Sequence, residues 1–278
     1  MVPRLLYGAA VFLALGAAAC VGAGATPLAS HRAAYDISLI DPDSPPLTAV
    51  QTPVAARGLI AYEFRGSACE GYTSSFRQMT DMQRSEGDDL AMDVNATSFE
   101  SGDGASMRFK IDTKGVADLP QVEGTATRGA NDDLKVELNQ PAAKTIDFGH
   151  DVLFPTQHVE RLIAAARSGG GVVQARVYDG SDTGAKIYAT MAVIGKEATT
   201  PSEDATNATA LKDIRRWPVV VSYFNEATKD SAPEYTLSYD LYENGVSGTL
   251  KLDYGTFALR ARLRKLELLP ASACAKSP

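Results

Sequence analysis

The strongest constraint on the fold is an alternation of apolar and polar side chains that recurs along the chain. Tyr235, Leu237, Tyr239 and Leu241 alternate with Thr236, Ser238 and Asp240, and after Asn244-Gly245 the pattern returns at Leu250, Leu252 and Tyr254. Successive side chains of a strand point to opposite faces, so a period of two marks a sheet with one buried face. Asn-Gly accepts the positive φ angles of a two-residue turn, which makes the two runs a hairpin. The last run places Phe257, Leu259, Ala261 and Leu263 on one face and Arg260, Arg262 and Arg264 on the other. Leu266 and Leu268 fall on the opposite parity, which predicts a β-bulge at Lys265.

The same period appears earlier. Tyr35, Ile37 and Leu39 alternate with polar residues, and Ile60, Tyr62 and Phe64 share one face of residues 57–65. Residues 72–79, 91–99 and 107–112 are strand-like, with turn residues such as Ser101-Gly102-Asp103-Gly104 between them, the spacing of an antiparallel meander. Weaker strands are predicted over 116–119, 124–128, 134–138 and 144–148, and clearer ones over 172–178, 186–194 and 219–224. One segment breaks the rule: Val159, Leu162, Ile163 and Ala166 recur at helical spacing, with Thr156 as the expected N-cap and Gly169-Gly170-Gly171 as the stop. Residues 197–207, rich in Thr, Ser, Pro and acids, read as a mobile surface loop. About a dozen sequential strands predict a mainly β protein, a large curled antiparallel sheet or open barrel carrying one substantial helix, because a flat sheet of that width is unfavourable.

The N-terminus has the form of a secretory leader: Arg4, an apolar run over 5–19, then small residues to Ala25. That run is shorter than a bilayer requires, so a signal peptide over 1–25 and a single domain over 26–278, without a transmembrane segment, are expected. Cleavage there removes Cys20 and leaves Cys69 and Cys274, the arithmetic of one disulfide in an exported protein. The competing reading is lipidation of Cys20, for which the leucine usual three places earlier is missing. The net charge is −7, which disfavours nucleic acid as a partner.

Little chemistry is visible. His31, His150 and His158 lack paired metal-ligand spacing, and no G-x-S-x-G elbow is present. Cys69 could be a nucleophile activated by His150 or His158, a reading that competes with its oxidation to Cys274. The arginine row 260, 262 and 264 is either a solvated face with carboxylates across the strand or a site for an acidic partner or phosphate group.

The block Gly66-Ser67-Ala68-Cys69-Glu70-Gly71-Tyr72, the early run Ser30-His31-Arg32-Ala33-Ala34-Tyr35 and a cysteine near the C-terminus resemble the EipB family, envelope-integrity proteins of the alphaproteobacterial periplasm. The resemblance spans the mature chain. It implies a β-spiral, an open overlapping barrel with an inserted helix, held by a Cys69–Cys274 disulfide. It also implies a non-enzymatic periplasmic role in envelope integrity, without cofactors, and a link to a periplasmic tetratricopeptide-repeat protein. Two alternatives accompany it. One is a carrier of a lipid or lipopeptide in the concave face, lined by Tyr62, Phe64, Tyr239 and Tyr254. The other is a hydrolase acting on peptidoglycan or lipid through carboxylates.

Overall fold

The computed structural model describes residues 27–40, 53–84, 86–115, 119–228 and 232–271. They form one 15-stranded sheet in the order β8-β7-β6-β5-β4-β3-β2-β1-β15-β14-β13-β12-β11-β10-β9. Eight strands run outward from the centre: β1 (His31–Ile40), β2 (Pro53–Ser67), β3 (Gly71–Arg84), β4 (Leu90–Glu100), β5 (Ser106–Lys114), β6 (Val122–Arg128), β7 (Leu134–Gln140) and β8 (Lys144–Asp147). The chain then crosses to the far edge and returns through β9 (Val152–Leu153), helix α1 (Pro155–Arg167), β10 (Gly171–Val177), β11 (Tyr188–Ile194), β12 (Arg216–Asn225), β13 (Tyr235–Tyr242), β14 (Ser247–Asp253) and β15 (Ala258–Leu268). First and last strands meet in the middle, with His31 opposite Leu268 and Ile40 opposite Ala258. The expected bulge is there: Ala34 faces Lys265 and Tyr35 faces Leu263, which leaves Arg264 as the extra residue.

The sheet must curl. Strands β5 and β10 lie ten positions apart in the order, a distance of about 48 Å in a flat sheet. Yet the Phe109 ring of β5 lies 5.6 Å from that of Tyr178, the residue after β10. The barrel does not close, since β8 and β9 are opposite ends of the order. The ends overlap instead. Gly180 lies against the Phe109 ring, and Gly184 against Val122 and Leu138. Val152, Phe154, Tyr178 and Ile187 thereby complete a core with Met107, Phe109, Val122 and Leu134.

Helix α1 is the crossover between the parallel pair β9 and β10. It buries Leu162, Ile163 and Ala166 in a core with Ala192, Trp217, Val219, Val221 and Leu241. Its end is a Schellman motif, with Gly170 N–H donating to Ala165 O at 2.9 Å and Gly169 N–H to Ala166 O at 3.1 Å. One expectation is corrected here and another is refined. Phe154, not Thr156, is the N-cap; Pro155 occupies the first turn and Thr156 is buried. The 197–207 segment lies mostly at the surface, as expected, but is anchored through one buried residue, Asp204. It runs into two 3-10 turns, Glu203–Thr206 and Thr209–Leu211, and Asp204 accepts both the N–H and the hydroxyl of Thr249 at 3.0 and 2.6 Å. Ala208 and Leu211 plug a third core with Tyr35, Ile37, Leu259 and Leu263. Of the strand expected over 116–119, residues 116–118 lie outside the described residues and Leu119 is not in a strand.

Candidate functional site

A cavity of about 170 Å³ lies between the start of α1 and the inner face of β1 to β5. Register explains its floor. His31 faces Phe64, Phe64 faces Ser74, Ser74 faces Ser98 and Ser98 faces Phe109, so one cross-strand row runs along the inner face. The neighbouring row runs Tyr62, Phe76, Ala96, Ile111. Small residues at Ser74, Ala96 and Ser98 stand between larger ones, so the floor is dished. The two serine hydroxyls satisfy each other at 2.8 Å, which lets polar residues sit there without an unmet hydrogen bond. The roof is Pro155, Thr156 and Val159 of α1, with Leu28, Ala29, Asn244 and Gly245 at the side.

Among the described residues two carboxyl groups line this mostly apolar space, Glu100 and Asp179, and no Lys or Arg does. Glu100 ends β4 and is 5% exposed. Its oxygens accept the Thr156 N–H at 3.2 and 3.1 Å, a favourable place for a negative group beside a helix start. Burial outweighs that bond and, with Glu160 nearby, pushes the Glu100 carboxyl up to about 7. Burial likewise raises Asp179, against its bond from Ser181 N–H at 2.9 Å. Tyr62 is raised by burial and by the Glu100 charge. His31 is held below its ordinary value by burial, opposed by its bond to Ala29 O at 2.7 Å. Among the described residues no three His, Cys, Asp or Glu side chains come together as a metal site.

Arg128 fixes the roof to the floor. Its Nε donates to Gly104 O at 2.8 Å and its Nη2 to Gln157 Oε1 at 2.9 Å and to Val152 O, with the guanidinium 4.9 Å from the Phe154 ring centre. Gln157 Oε1 also accepts the Phe154 N–H at 3.0 Å. The turn after β4, the strand β9 and the first turn of α1 are thus held by one side chain.

The four aromatic residues singled out from sequence separate. Tyr62 and Phe64 line the cavity. Tyr239 packs against the core under α1, and Tyr254 is 39% exposed at the end of an aromatic series, 6.2 Å from Tyr235 and 4.9 Å from Phe257. The arginine row lies on the outer face, where Arg262 is opposite Asp36 and Arg260 opposite Ser38. Arg264 lies 3.4 Å from Asp36, while Arg260 and Arg262 make no ion pair among the described residues.

Cys69 sits in the turn between β2 and β3 and is disulfide-bonded, so it is not a thiol nucleophile; Cys274 lies outside the described residues. The flanking glycines are required by space. A Cβ on Gly66, at φ +120, would lie 2.0 Å from Gly71 O, and one on Gly71, at φ +83, would lie 2.6 Å from Glu100 O. Sequence reasoning missed Glu100, Asp179 and the dished floor. The available signal was the alternation Ala96, Ser98, Glu100 within β4, small and acidic residues at positions where an inner face is expected to be bulky.

No helix among the described residues is long and apolar enough to cross a membrane. The cell envelope integrity protein EipB of Brucella abortus (strain 2308) is 34% identical over 265 residues, 94% of this chain and 92% of that protein. A crystal structure described as a beta-barrel-like protein of domain of unknown function DUF1849 from Brucella abortus superposes with a TM-score of 0.79 at 32% identity, covering 88% of this chain and all of that one. Residues 22–270 match the family described as EipB-like. The curled open sheet with its crossover helix, and the sequence likeness along nearly its whole length, place the chain in the EipB-like family.

Proposed function

We propose that this chain is exported to the periplasm and maintains the cell envelope by binding rather than by catalysis, with the cavity under α1 as its binding site. The observation that carries the reading is the dished, roofed floor: an apolar space built from five adjacent strands and a helix start, in a chain 34% identical to an envelope integrity protein. Concave apolar sites with a few placed polar groups are the usual form of a small-molecule site. The carrier idea is narrowed by size. An engineered cavity of about 150 Å³ holds benzene, so about 170 Å³ admits a ring or a short chain end and not several acyl chains.

Two inward carboxyl groups raised by burial also suit an acid and base pair. Against a hydrolase stand the engagement of Glu100 by Thr156 and of Asp179 by Ser181, and a space too small for sugar units on both sides of a scissile bond. A disulfide between Cys69 and Cys274 belongs to the proposal. Gly66 N–H donates to Ser30 Oγ at 3.2 Å, and Leu269 N–H donates to Ser30 O at 2.8 Å. Along the chain, Cys69 follows Gly66 by three residues and Cys274 follows Leu269 by five. The outer arginine row is the surface offered to a protein partner, such as the periplasmic tetratricopeptide-repeat protein that the family likeness suggests.

The test is complementation in a bacterium deleted for its own EipB-like gene and challenged with detergent. The natural chain restores growth. Ala96→Phe, which fills the floor of the cavity, is expected to be exported and folded yet to fail. Full rescue by that variant would remove the cavity from the function.

A further inference from the structure

We propose that the cavity under α1 takes an apolar body carrying a protonated amine, and that Glu100 is the group that recognises it. The inference rests on the reading of the cavity as a binding site and adds the chemical class of the ligand. The cavity, rather than its acidic groups, is the site; the groups set its charge preference. Five strands and a helix leave space of the size that holds one aromatic ring, and the ring-sized part of a ligand meets Phe64, Met107, Phe109, Ile111 and Val159.

The polar end of the ligand then meets an acceptor-rich wall. Glu100 and Asp179 both line the space, and among the described residues no Lys or Arg does. A carboxylate or phosphate would be brought out of water beside these groups with no cationic side chain in the lining to pair with it, an arrangement that a buried ion does not tolerate. An ammonium supplies three donors and the missing positive charge, and a charge-assisted bond to a carboxylate is about twice as strong as a neutral one. Glu100 is suited to the role because Thr156 N–H holds its carboxylate in place, and a ligand that finds its acceptor already oriented loses less on binding.

Three molecules of one shape separate the possibilities: benzylamine, benzyl alcohol and benzoate, titrated by calorimetry into the full mature chain at pH 7.5. Benzylamine is expected to bind at least tenfold more tightly than benzoate. Glu100→Gln is expected to bring it down to the level of benzyl alcohol, and Ala96→Phe to abolish binding of all three. Benzoate binding as tightly as benzylamine overturns the proposal, as does an amine preference that survives Glu100→Gln. Equal binding of benzylamine and benzyl alcohol overturns the amine while keeping the binding site. Binding of none of the three overturns both. The comparison on the natural chain decides the matter even if Glu100→Gln does not fold.

Discussion

Glu100→Gln is the most informative perturbation of stability, because its effect changes with pH in a direction fixed by the structure. Burial raises this carboxyl from 4.5 to about 7. Between those values the folded chain keeps a proton that the unfolded chain has lost, so stability falls as pH rises. At about 1.4 kcal/mol per pH unit the loss is about 3 kcal/mol by pH 7. The groups facing Glu100 are Glu160 of α1, Tyr62 of β2 and Tyr72 of β3; the tyrosines, both raised, stay neutral across this range. The raw pH profile hides the effect. His158, 5% exposed, is held by burial at about 4 rather than 6.5, so stability rises with pH between those values by a similar amount, and His31 adds to it. Asp179, Glu160 and Asp240, also raised by burial, act in the same sense as Glu100, so the effect is read as the difference between the two chains. Glutamine offers Thr156 the same acceptor without the titration. Urea unfolding of both chains at pH 4.5, 5.5, 6.5 and 7.5 should show the variant gaining about 3 kcal/mol on the natural chain across the series. A difference independent of pH would refute the reasoning.

Arg128→Ala removes the donors for Gly104 O, Val152 O and Gln157 at once. It should cost about 3 kcal/mol in urea unfolding, and Arg128→Lys should recover little because an ammonium lacks the fork; a loss under about 1 kcal/mol would refute the clamp. Cys69→Ser and Cys274→Ser should each lower stability by roughly 2–5 kcal/mol. Their double variant should lose no more than either alone, whereas additive losses would separate the two residues. Arg262→Glu, on the exposed outer face, sets a second acid opposite Asp36 and should cost no more than about 1 kcal/mol while weakening capture of an acidic partner from envelope extracts. Capture at the natural level would remove the arginine row from partner binding.

Most of the architecture is legible in local pattern. The hairpin through Asn244-Gly245, the bulge beside Lys265 and the helical stripe from Val159 to Ala166 are each written in a few residues, because side-chain direction follows a fixed period in strand and helix. The turn itself differs from the expected two-residue Asn-Gly form: Gly245 has a positive φ and Asn244 does not, and Gly245 N–H donates to Tyr242 O at 2.8 Å, so Glu243 and Asn244 are its central residues. The loop before β12 is the opposite case. Its Thr, Ser and acidic residues are mostly at the surface, but Asp204 is buried by bonds to Thr249, 45 residues away, which no local window contains.

The sequence by itself determined which faces are apolar, where the strands turn, and that the sheet is too wide to stay flat. Only the tertiary structure decided where the curl brings those faces together. Ser74, Ala96 and Ser98 are unremarkable strand residues until β1 to β5 align them in adjacent rows and α1 roofs the hollow. Glu100 is one acid among 34 until burial and the Thr156 N–H set its charge. A strand's period depends on backbone geometry within a few residues, whereas a cavity and a raised pKa depend on which distant segments exclude water from the same point.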